Sequence, residues 1–145
     1  MPRMAEIVQL NKANGVSLEQ VNILLLQLSP EYDQITSARF EKVITHPDNE
    51  LWIVKDEDLI IGMATLVLAH KLPATTAYIE HLVIDEKFRG KGYGKELIEK
   101  LIERARARGA QKIDLTTRPV REAANKLYQK LGFELRQTNC YRMKL

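Results

Sequence analysis

The chain has one cysteine, one tryptophan and no apolar run long enough to cross a bilayer. A lone Cys140 excludes an internal disulfide framework and fits a reducing compartment. The amino terminus, MPRMAEIVQL, holds no apolar stretch of signal-peptide length, which points to a cytoplasmic protein that does not act at a membrane. The three histidines, His46, His70 and His81, are scattered without ligand spacing, which argues against metal catalysis. Aromatics at 6% and a net charge of only +3 argue against a nucleic-acid partner, which calls for a larger basic excess with interleaved aromatics. What is present is ordinary for a globular protein: 45% hydrophobic and 28% charged residues over 145 positions, enough for a single domain, 1–145, with a real core.

Hydrophobic periodicity divides the chain into alternating elements. A short strand covers Met4 to Leu10. Ser17 with Gln20 forms a capping-box pattern that opens a helix from Leu18 to Leu28, with Val21, Leu24, Leu25 and Leu28 in one stripe. Ser29-Pro30-Glu31 ends it, and a second helix runs from Tyr32 to Ile44, closed by His46-Pro47-Asp48-Asn49. Glu50 to Lys55 and Leu59 to Ala69 form a hairpin, in which Gly62 marks a bulge or a close contact. Thr76 to Ile84 is the central strand. The long helix that follows carries Leu97, Ile98, Leu101, Ile102 and Ala105 on one face and stops at Gly109. A strand at Gln111 to Thr117, a helix at Arg121 to Leu131 and strands at Phe133 to Arg136 and Cys140 to Leu145 complete the chain. The order β-α-α-β-β-β-α-β-α-β-β is α/β (α+β), and its central strand-helix-strand unit predicts one parallel pair.

Between the central strand and the long helix lies Arg89-Gly90-Lys91-Gly92-Tyr93-Gly94, followed by Lys95. Glycines permit positive φ and a close approach of backbone N–H groups to a ligand. The start of a helix favours an anion, and three basic side chains reinforce it. The stretch reads as a phosphate or pyrophosphate cradle, although it is neither the dinucleotide fingerprint nor a P-loop. The competing reading is a tight strand-to-helix connection.

Arg89, Gly92 and Gly94 match [QR]-x-x-G-x-[GA], and Ala124, Leu127, Tyr128, Lys130, Leu131, Gly132 and Phe133 fit A-x-x-L-Y-x-K-L-G-F. With these two motifs at this separation, nearly the whole chain resembles the GNAT superfamily of acetyl-CoA-dependent N-acetyltransferases. The resemblance implies a mixed central sheet of about six to seven strands with helices on both faces. It implies acetyl-CoA as cosubstrate, with coenzyme A as product and a small amine or a peptide as acceptor. The pyrophosphate would sit on Arg89, Gly90, Lys91, Gly92, Tyr93, Gly94 and Lys95. The strands at 78–84 and 112–117 would splay, and the pantetheine arm would pair with backbone groups of Leu82, Val83 and Ile84. A homodimer stays open.

Acetyl transfer to an amine needs a base for the amine and an acid for the departing sulfur. Glu80, a carboxylate inside an otherwise apolar strand, is the candidate base; the alternative is a salt-bridged or solvent-facing carboxylate. His81 should point to the opposite face. Tyr128 stands where the family tyrosine approaches the coenzyme sulfur, against the alternative of a core tyrosine. Asn125, one turn earlier, is a candidate coenzyme contact. Arg118 and Arg121 bracket Pro119 and suit coenzyme phosphates or a carboxylate on the acceptor. Arg121 occupies a place where many relatives carry asparagine, and Thr116 one where some carry a glutamate base. Three other readings compete: a non-catalytic acyl-CoA-binding domain, a nucleic-acid module built on Arg104, Arg106 and Arg108, and covalent catalysis by Cys140. The three arginines alternate around their helix and read as a solvated face.

Overall fold

The computed structural model describes residues 5–145. Five strands form one sheet in the order β1-β2-β3-β4-β5: Glu6–Gln9, Asn49–Asp56, Leu59–His70, Thr75–Ile84 and Lys112–Leu115. The first three pairings are antiparallel, and β4 pairs with β5 in parallel, as the strand-helix-strand order predicts. Four helices cover the sheet: α1 Gly15–Leu28, α2 Ser37–Ile44, α3 Tyr93–Ala107 and α4 Glu122–Lys130. Met4, where the first strand was expected to begin, lies outside the described residues.

Each face of the sheet buries its own core. Val21, Leu24 and Leu25 of α1 and Phe40 and Ile44 of α2 pack on Leu51, Ile53, Ile60, Met63 and Val83. On the opposite face Leu97, Ile98, Leu101 and Ala105 of α3, with Tyr128 of α4, cover Val54, Ala64, Leu66, Ala77 and Ile79. The α3 stripe is the one its periodicity predicts, and Ile102 packs at its margin.

Several local expectations are corrected. The N-cap of α1 is Asn14, whose Oδ1 accepts from the Ser17 N–H at 2.8 Å, so the helix starts a turn before the Ser17–Gln20 pair. The Gln20 side chain instead bonds outward, accepting from the Ile60 N–H of β3. The second helix begins only at Ser37, capped by Thr36. Asn22 explains the delay: its side chain bonds both the N–H and the C=O of Ile35, which holds the preceding segment out of a helix. Among the described residues the sheet has five strands and not six or seven, because residues 133–136 and 140–145 form none. Phe133 packs edge-on against Tyr128, with ring centroids 6.0 Å apart, and Arg136 reaches Asp114 at 3.7 Å. Beyond them Leu135, Tyr141, Met143 and Leu145 stand exposed. Alternation of apolar and polar residues describes faces, but without a hydrogen-bonded neighbour and a surface to bury it makes no strand.

The arginines of α3 are not all solvated. Arg104 and Arg108, one turn apart, close on Glu50 of β2, with Nε–Oε1 at 2.9 Å and Nη1–Oε2 at 2.6 Å, while the Trp52 indole donates to Oε1 at 2.8 Å. Glu50 is 2% exposed. Burial alone would raise its carboxyl, but the bonds from Arg104, Trp52 and Arg108 outweigh that and hold it at about 2. Glu50→Ala is expected to destabilise the fold by about 3 kcal/mol, the low end for a broken buried ion pair, because both arginines can turn to solvent. A depressed carboxylate stabilises the folded state above its ordinary value near 4.5, and that contribution is lost as pH falls towards 2. Urea melts between pH 2 and 5 should therefore show a steeper acid loss in the parent than in the variant.

Candidate active site

Two bulges shape the centre of the sheet. In β3, Val54 pairs with Gly62 and Lys55 with Ile60, so Ile61 is an extra residue. Gly62 is also a close contact, since a Cβ there would meet Ile84 Cδ1 at 2.5 Å and the Val83 carbonyl oxygen at 3.3 Å. In β4, Thr65 pairs with Glu80 and Met63 with Val83, so His81 and Leu82 stand opposite Ala64 alone. His81 takes up the irregularity at φ 54, a left-handed conformation uncommon outside glycine. The bulge reverses the alternation of the strand: Ile79 faces the α3 core and Val83 the α1 core. His81 lines the same cleft as Glu80, and its ring meets that of Tyr32.

That cleft, about 580 Å³, opens where β4 and β5 part. Their pairing ends at Ile79–Leu115, where β5 stops, while β4 runs on to Ile84 without a β5 partner. Glu80 sits opposite Thr65 in β3 and is half-buried. Tyr128 reaches the cleft from α4. Burial raises the Tyr128 hydroxyl above its usual value near 10, and the neighbouring Arg121 charge offsets part of this, so the phenol stays protonated at neutral pH.

The glycine turn lies at the far end of the same strand. A short 3-10 turn, Glu86–Phe88, leads from β4 into it. Gln27 of α1 anchors this turn, donating to Asp85 Oδ2 and accepting from the Glu86 N–H. Arg89 Nε donates to the Ile84 carbonyl at 2.9 Å, which occupies one of the three backbone positions expected to meet the pantetheine arm. Gly90 and Gly92 have φ of 80 and 85. Gly92 is the left-handed N-cap of α3, at φ 85, and no side chain caps the helix there. Lys91 lies over the Phe88 ring at 5.3 Å.

The remaining candidates divide between two roles. Asn125 Nδ2 donates to the carbonyls of Arg118 and Arg121 at 3.1 and 2.8 Å, so this amide braces the loop between β5 and α4. Arg118 and Arg121 line the cleft with Glu80 and Tyr128, whereas residues 89–95 do not. Among the cleft residues that sequence reasoning did not single out are Glu31, Tyr32, Thr117 and Arg142. Tyr32 stacks edge-on against His81 at 5.5 Å. Thr117 Oγ1 is a buried polar atom without a hydrogen-bond partner, at the point where β5 leaves β4. No local signal marks these residues, because helices, loops and the C-terminal segment far apart in the chain supply them.

The description that matches this chain is the Acetyltransferase (GNAT) family, over residues 18–133. The chain belongs to the GNAT acetyltransferases. It is 33% identical over 102 residues to an uncharacterized N-acetyltransferase, YycN, of Bacillus subtilis, covering 70% of this chain and 65% of that protein. It is 29% identical over 115 residues to the L-2,4-diaminobutyric acid acetyltransferase of Shouchella clausii, covering 79% of this chain and 64% of that one. The chain thus spans less than two thirds of the length of these curated relatives. Among solved structures it is similar to a transcriptional regulator from Bacillus halodurans, with TM-score 0.86 and 26% identity over 97% of this chain and 99% of that one. An aminoglycoside N-acetyltransferase solved with CoA shares the fold, with TM-score 0.84 and 24% identity over 99% of this chain and 98% of that one.

Proposed function

We propose that this GNAT chain acts as one acetyltransferase domain, moving an acetyl group from acetyl-CoA to a primary amine by direct attack in a ternary complex. The observation that carries this reading is the cleft at the end of the β4–β5 pairing, which Glu80 of β4 and Tyr128 of α4 both line. The residues fit the coenzyme. The left-handed Gly90–Gly92 turn opens α3 towards a pyrophosphate, the edge of β4 beyond Ile79 lacks its β5 partner, and the Thr117 hydroxyl is buried without one. Acetyl-CoA supplies an activated thioester. Glu80 accepts the proton of the attacking amine, directly or through water, and the Tyr128 hydroxyl donates to the departing sulfur. Orientation of both reactants in the gap supplies much of the rate. A small amine acceptor agrees with the names of the relatives, one of which acts on diaminobutyric acid.

Two measurements test the reading. Acetyl-CoA should raise the melting temperature, since saturation at 100 Kd stabilises a fold by about 2.7 kcal/mol. Thiol release from acetyl-CoA in the presence of an amine panel should then identify an acceptor. No melting shift at millimolar acetyl-CoA removes the coenzyme assignment. A shift without transfer to any amine favours a non-catalytic acyl-CoA-binding domain.

A further inference from the structure

The cleft beside Glu80 is lined by three arginines, Arg118, Arg121 and Arg142, against two glutamates, Glu31 and Glu80. None of the three arginines forms an ion pair with a described residue, whereas Arg104, Arg108 and Arg136 each do. They come from two distant parts of the chain. Asn125 braces the loop that holds Arg118 and Arg121. Arg142 reaches the cleft from a segment whose flanking Tyr141 and Met143 are turned out to solvent.

Unpaired arginines facing a concave surface focus positive potential and attract an anion. The anion is not the coenzyme pyrophosphate, because the glycine turn at 89–95 does not border this cleft and Tyr128 does. The arginines stand at the reacting end of the gap, where the acceptor must sit. We propose that the acceptor carries an anionic group, a carboxylate or a phosphate, beside its amine, and that Arg118 and Arg142 read that anion while the Glu80 side takes the amine. Planar guanidinium forks suit either oxyanion. The proposal rests on the acetyl-transfer reading for the identity of the bound molecule as acceptor.

The test is calorimetric binding to the CoA-saturated protein, using matched probes: amino acids against their amides, and O-phosphoethanolamine against ethanolamine. At least one anionic probe should bind about tenfold or more tighter than its neutral partner. The arm in which this happens identifies carboxylate or phosphate. Arg118→Ala combined with Arg142→Ala should erase the preference while the neutral partner and CoA bind as before. Arg118→Lys, which keeps the charge but not the fork, should retain part of it. Equal binding within every pair, or a preference that survives the double substitution, overturns the proposal. Acetyl transfer measured on the same panel separates the two ideas. Transfer without anion preference sinks the anion site alone, and anion preference without transfer sinks the reaction alone.

Discussion

Glu80→Gln is expected to lower turnover by roughly 10² to 10⁴, the range for loss of a general base. The loss should be greatest at low pH, where the acceptor amine is largely protonated in solution. Raising the pH supplies neutral amine without help from the enzyme, so the variant should recover part of its rate as pH rises towards the amine pKa. Tyr128→Phe should behave differently. Burial keeps the phenol protonated above its usual range, so its donor role does not titrate away at neutral pH, and its removal gives a loss without that recovery. The tyrosine loss should lie at the lower end, about 10², because a thiolate is already a fair leaving group. Turnover of both variants across pH 6 to 9 distinguishes the roles. Equal, small losses with parallel profiles would remove the acid–base assignment and leave catalysis to positioning.

Gly92→Val is expected to weaken acetyl-CoA binding by about one to two orders of magnitude. Gly92 holds φ 85 at the N-cap of α3, where a β-branched residue is strained by about 1–3 kcal/mol and where its methyl groups obstruct an approaching phosphate. The turn is tied to α1 through Gln27 and to Ile84 through Arg89, so the backbone has little room to relax. Calorimetric titration with acetyl-CoA measures the loss, and circular dichroism checks that α3 persists. Unchanged affinity would return the turn to a purely structural role.

Much of this fold was legible in the residues because the signals are local. The α3 stripe repeats at helical spacing, the hairpin of β2 and β3 turns at Asp56-Glu57-Asp58, and the glycines of residues 90–94 can serve few purposes between a strand and a helix. The order of elements required a parallel pair, and β4–β5 is that pair. Both family motifs are short and contiguous for the same reason.

The tertiary structure decided everything that depends on two distant segments meeting. Whether residues 140–145 form a strand depends on a neighbouring edge and not on their own alternation, and no such ladder forms. Arg104 and Arg108 looked solvated along the helix, yet both pair with the buried Glu50, more than fifty residues earlier. That Ile79 and Val83 face different cores is set by a bulge opposite Ala64, and a register shift leaves no trace in the sequence of one strand. The cleft itself joins β4, the β5–α4 loop, the α1–α2 connection and Arg142. The sequence by itself determined the elements whose signals are local, such as α3 and the β2–β3 hairpin, and the glycine turn before α3, since these follow from nearest-neighbour geometry. Only the packed sheet decided which charged residues line the cleft, because that is a question of which distant side chains share a space.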